Sequence, residues 1–188
     1  IEVDEAQNFH HWELVFTEIL GPLFEKRKVD PDGFDLIFGN PPWVGISWNE
    51  AKSLSEMDPQ LGVLGSDATD CVAARDEVLM QGTNSLVYQK EFTEIAGTAQ
   101  YLNDRTLFPV LAGLRTNLYK NFIERSWAFL SIKGLAGLLH PESIFVDAAG
   151  GNFRREYYGR LKAHYQFQNA LSLFKDVKEN RKFGINIY

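Results

Sequence analysis

Residues 34–45 read FDLIFGNPPWVG, and the four residues Asn40, Pro41, Pro42 and Trp43 are the ones whose types and spacing best suit chemistry. The Asn40 carboxamide offers a carbonyl acceptor. The Pro-Pro step fixes the backbone so that the Pro41 carbonyl can stand beside it, with no amide N–H on Pro42 to compete for it. Two fixed acceptors aimed at one point hold an NH2 group by both its hydrogens. Trp43 adds a flat face for a planar heterocycle, worth about 1 to 3 kcal/mol when a base stacks on it. The ligand these groups imply is an amine-bearing nucleobase turned out of its stack. The plainer reading is a strand-ending turn whose Trp caps the core, yet a buried strand needs no double proline to stop.

Other polar residues carry weaker signals. His140 ends an apolar run, where it either contacts base or phosphate or serves as a structural histidine with both nitrogens bonded. Arg154 and Arg155 follow Gly150-Gly151, and phosphate contact and a solvated helix surface are equal readings for them. Asp35 is expected to start its strand by bonding backbone. Tyr119 and Lys120 read as core packing and solvation respectively. His10 and His11 lack a third ligand in view, and no metal is expected. Cys71 is the single cysteine, which excludes an intrachain disulfide.

The elements that must position the tetrad follow from periodicity. Trp12, Val15, Phe16, Ile19, Leu20 and Leu23 predict an amphipathic helix over 9–24, disturbed at Gly21-Pro22. The segment EKRKVDPDG (25–33) is a turn, and FDLIFG reads as a strand buried on both faces. Leu111, Leu114, Leu118, Phe122, Ile123, Trp127 and Leu130 predict a long helix ended by Lys133-Gly134, followed by a second strand over 135–141. Phe153, Tyr157, Leu161 and Tyr165 predict another helix, with YQFQNALSLF and KFGINIY as third and fourth strands. Helices alternating with strands give an α/β fold with a largely parallel sheet, whose ligands sit at the carboxyl ends of the strands. Three segments result: 1–43 leading to the tetrad, 44–113 as an insertion of helices and loops, and 114–188 as the remaining helices and strands.

Composition bounds the partners. A chain of 188 residues with 45% hydrophobic content can bury a sizeable core, and its longest apolar runs are too short to cross a bilayer. A cytoplasmic location is expected. With 19 basic against 25 acidic residues the net charge is −6, so bulk phosphate attraction is not how this chain would grip nucleic acid. The start at Ile1, in mid-phrase, suggests a fragment of a longer chain.

FDLIFGNPPW resembles motif IV of the class I S-adenosylmethionine-dependent amino-methyltransferases, in particular those acting on adenine N6 in DNA. HHWELVFTEIL, TNLYKNFIERSWAFL, GLAGLLHPESIF, GGNFRREYYGRLKAHYQFQN and LFKDVKENRKFGINIY are similar, in the same order, to the catalytic domain of type IIG and phage-defence adenine methylases. The resemblance implies a Rossmann-like class I methyltransferase sheet, of which this chain is the C-terminal, target-base half. It also implies direct methyl transfer from S-adenosylmethionine to a flipped adenine, with Asn40, Pro41, Pro42 and Trp43 in the catalytic roles. The family's glycine-rich cofactor turn and its acidic partner have no counterpart in residues 1–33 and are expected upstream of Ile1. The target-recognition domain that would hold DNA is expected outside the chain as well, and the chain alone is expected to be inactive. In the family the motif strand lies beside a cofactor-binding strand, so DLIFG is expected to have an unpaired edge, open to dimerisation or to the N-terminal segment. The alternatives are a protein-glutamine methyltransferase, an RNA adenine methyltransferase, and a non-catalytic DNA-binding subunit that keeps the fold. Adenine N6 and cytosine N4 stay open as acceptors.

Overall fold

The computed structural model of the chain describes residues 12–24, 33–63 and 68–188. His10, His11 and the predicted turn up to residue 32 lie outside them. The chain divides into two compact units, Ile1–Gly45 with Leu102–Tyr188, and Ile46–Tyr101.

The first helical segment is broken by a turn at Phe16 into α1 (Trp12–Val15) and α2 (Thr17–Phe24). It continues past Pro22, because a proline in a short helix costs one N–H bond without ending the backbone path. Phe16 packs edge-on against Phe34 at the start of β1 (Phe34–Gly39), with ring centroids 5.2 Å apart.

The second unit is helical: α3 (Glu50–Met57), α4 (Pro59–Val63), α5 (Ala68–Ala73), α6 (Arg75–Leu79) and α7 (Asn84–Leu102), whose last residue lies across the unit boundary. Asn49 caps α3 by accepting from the Lys52 N–H. Leu54, Val78 and Cys71 are buried, and the Glu50 carboxylate accepts from Tyr88 Oη at 2.6 Å and Arg75 at 3.1 Å. Those hydrogen bonds, Tyr88 first, hold the Glu50 carboxyl below its ordinary range. The segment expected as an insertion over 44–113 thus forms its own unit only over 46–101. Phe108, Leu111 and Leu114 belong to the core of the sheet unit.

The long helix expected from Leu111 begins later, as α8 (Leu118–Phe129). Gly113, at φ +84, breaks the path between the short 3-10 turn Pro109–Leu111 and the extended residues before α8. The predicted helix end at Lys133-Gly134 is also corrected, since β2 (Leu130–Pro141) runs through it. Residues 131–134 bulge from β2, and the β1–β2 register slips between Phe34 and Leu36. A Cβ on Gly134 would collide with the Phe34 carbonyl oxygen, which is why the bulge carries glycine there. Ser131 Oγ donates to Asp35 across the slip, so Asp35 bonds a side chain rather than backbone.

After β2 come α9 (Ser143–Val146), α10 (Gly151–Arg160), β3 (Ala163–Gln168) and β4 (Lys182–Ile187). The sheet order is β1-β2-β4-β3. Only β1–β2 is parallel, while β4 runs antiparallel to both neighbours, which corrects the expected largely parallel sheet. The third strand stops at Gln168, and residues 169–181 return as an irregular loop. A connection without a helix favours an antiparallel neighbour. The chain is therefore a mixed α/β protein with a four-stranded mixed sheet.

One sheet face is packed. Tyr119 and Ile123 of α8, and Phe153 and Tyr157 of α10, bury against Ala136 and Leu138 of β2. Strand alternation sends Leu36 and Phe38 to the opposite face, where they are 60% and 79% exposed. Among the described residues β1 is an edge strand with β2 as its single neighbour.

Candidate functional site

The carboxyl ends of β1, β2 and β3 and the amino end of β4 lie along one edge of the sheet. The turn after β1 and the loop between β3 and β4 therefore emerge on the same side. Between them is a cleft of about 540 Å³, lined by Asn40, Pro41, Pro42 and Trp43 and, from the loop, by residues 173–177. All four members of the tetrad thus border one cavity. Asn40 and Pro42 are exposed, Pro41 is buried and Trp43 is half-buried.

Trp43 is held by its polar end. Its Nε1–H donates to the Leu139 carbonyl at 3.3 Å, which fixes the ring over the end of β2. Phe174 of the loop contacts it with centroids 5.0 Å apart at 50°, and Phe183 of β4 lies 6.0 Å away. Phe167 stacks on the other side of Phe183 at 5.7 Å. The indole is anchored at its N–H, and Trp43, Phe174, Phe183 and Phe167 form one aromatic group at this end of the sheet. Phe174, Lys175 and Asp176 were missed by sequence reading, which carried the third strand through to Phe174. The polar run KDVKEN between two apolar stretches was the signal for a loop there.

His140 is wholly buried, so the structural reading is the one the geometry favours. Its Nε2 pairs with Tyr188 Oη at 2.7 Å and its Nδ1 with the Pro141 carbonyl at 3.0 Å. Tyr119 stacks on it at 5.4 Å. Burial pushes the imidazole down to about 4, against the opposing Pro141 bond, so the ring is neutral near pH 7. The same burial raises the Tyr188 and Tyr157 hydroxyls and brings Tyr119 to about 12. The Tyr157 hydroxyl donates to Asn186 Oδ1 at 2.7 Å, joining this network to β4.

Arg154 is likewise turned inward, its Nη1 donating to the carbonyls of Ile144 and Asp147. Arg155 differs, with a side chain 76% exposed beside Glu156. Lys120, expected in solvent, is instead 6% exposed and paired with Asp147 at 2.7 Å, a contact that lowers the Asp147 carboxyl. Tyr119 is in the core as expected and bonds Ser143 at 3.0 Å.

No strand of the described sheet is followed directly by a glycine-rich turn: β1 leads into Asn40, β2 into Glu142 and β3 into Asn169. None of the described residues is assigned to S-adenosylmethionine. Among the described residues no cluster of three or more His, Cys, Asp or Glu side chains could hold a metal. Among them also, no helix is long and apolar enough to cross a membrane. Comparison with known proteins finds no family model that matches the chain, and no curated protein matches it.

Proposed function

We propose that this chain is the base-capturing half of an S-adenosylmethionine-dependent DNA amino-methyltransferase acting on adenine N6, within a restriction-modification or phage-defence enzyme. The observation that carries the reading is the position of the tetrad. Asn40, Pro41, Pro42 and Trp43 stand at the carboxyl end of β1 and form one wall of a cleft whose other wall presents Phe174. In this reading the Asn40 Oδ1 and Pro41 carbonyl accept the two amine hydrogens, and the base lies against the Trp43 and Phe174 rings. An amine conjugated to a purine is a poor nucleophile, and acceptors on its hydrogens draw it toward tetrahedral geometry. The work of this chain is positioning and electrostatics. The methyl group would come from S-adenosylmethionine held by residues other than those described.

In this reading the main DNA grip comes from elsewhere, which suits the acidic balance of the chain, and Arg155 is the exposed local cation of the three candidates. We propose further that the edge of β1, which has no second strand partner among the described residues, pairs with a second copy when the chain is isolated.

The test is methylation by the protein that carries this chain. Transfer of labelled methyl from S-adenosylmethionine to adenine in duplex DNA is expected, falling by about two to three orders of magnitude on Asn40→Ala. An Asn40→Ala protein that methylates at the unaltered rate would end the reading.

A further inference from the structure

The loop that carries Phe174 has an internal fastening. Asn169, the first residue after β3, is fully buried. Its Oδ1 accepts the Phe174 N–H at 3.1 Å, and its Nδ2 donates to the Phe174 carbonyl at 2.9 Å and the Val177 carbonyl at 2.6 Å. Both backbone groups of Phe174 are thus claimed by one side chain, as a neighbouring strand would claim them. The backbone of Asn169 is itself tied down, its N–H donating to Arg181 and its carbonyl accepting from Ser172. Ser172 sits at φ 49, a left-handed conformation that a non-glycine residue keeps only when its surroundings hold it.

We infer that Asn169 is a positioning residue for the cleft: its carboxamide sets where Phe174 meets Trp43 and so gives the base-binding slot its shape. The inference rests on the proposed base-capturing reading for the nature of the ligand, but the fastening itself is independent of it. A buried carboxamide that spends its acceptor and both donors on one loop makes that loop a preformed wall, and a preformed wall spares the ligand the ordering cost of building one. Phe174 points at the ligand, and Asn169 acts through it.

Asn169→Asp is the informative variant. It keeps the size and the acceptor for the Phe174 N–H, and it sets an oxygen against two carbonyls where two N–H donors stood. Two measurements on the full chain are made with it. The first is binding of a short single-stranded DNA carrying 2-aminopurine, read by fluorescence quenching and referred to the folded fraction from a melting curve. Affinity per folded molecule is expected to fall about tenfold, the worth of one good hydrogen bond. A purely structural role would lower the melting temperature and leave that affinity unchanged, which overturns the inference. The second is limited trypsin cleavage after Lys175 and Lys178. Protection in the parent chain and rapid cleavage in Asn169→Asp are expected, and equal rates overturn the inference. If the parent chain does not quench the probe, the base-capturing reading fails while the cleavage rates still decide whether Asn169 fastens the loop.

Discussion

Trp43 is engaged on two sides, with its indole N–H spent on Leu139 and its ring against Phe174 and the cleft. Truncation to Ala should abolish 2-aminopurine quenching. Phe should retain most of it, because stacking needs a face rather than an N–H. Equal quenching by the Ala and Phe variants would make Trp43 a core residue only. His140 yields a pH prediction. Its folded value of about 4 lies below the unfolded 6.5, so the unfolded chain binds a proton that the folded chain refuses. The stability from this site is present above about pH 6.5 and is lost as pH falls toward 4, up to about 3 kcal/mol. Urea unfolding at about pH 7 and about pH 4 should show this loss, and His140→Gln should flatten it. An unchanged slope in the variant would assign the effect to other groups. At this scale the sequence was legible in the end of β1, where only Asn40 stands between Gly39 and the double proline. It was not legible where an ordinary polar residue was drafted into the core. Asn186 and Lys120 are buried because their partners Tyr157 and Asp147 come from distant segments, and local spacing carries no trace of those partners; Asn169 was hidden because the loop it fastens was read as strand.

The elements followed their apolar patterns, and the errors came from turns. FDLIFG and KFGINIY became strands β1 and β4 because β-branched and aromatic residues there fit a pleated surface, but β1 is not buried on both faces as expected, since Leu36 and Phe38 are exposed. The first two turns or so of the expected long helix were lost around Gly113, and β2 began five residues before its predicted start because a bulge can absorb Lys133-Gly134. The direction of β4 depends on the connection before it, and a loop read as strand hid that connection. The bulge gives a prediction of its own. Gly134→Ala forces a Cβ against the Phe34 carbonyl, and the backbone must shift, at about 1 to 3 kcal/mol. The expected outcome is a lower urea midpoint. A midpoint equal to that of the parent chain would show that the β1–β2 slip relaxes freely.

Tyr119, Ile123, Phe153 and Tyr157 cover one face of the sheet, and on the other Leu36 and Phe38 are exposed. An edge strand such as β1, without a second neighbour among the described residues, is a template for another chain when it lies beside such residues. Light scattering should show association that grows with concentration, and Phe38→Lys should reduce it, since lysine at an edge opposes pairing. A monomer at every concentration would contradict the proposed pairing. In the proposed reading Asn40 and Pro41 hold an exocyclic amine over an aromatic floor. The most direct measurement compares two single-stranded DNAs that differ at one base, adenine in one and unsubstituted purine in the other, as competitors for the 2-aminopurine probe. Both bases can stack, and only adenine offers two amine hydrogens. The adenine strand is expected to compete about tenfold better, and Asn40→Ala to remove most of this advantage. Equal competition by the two strands on the parent chain would contradict the proposed reading.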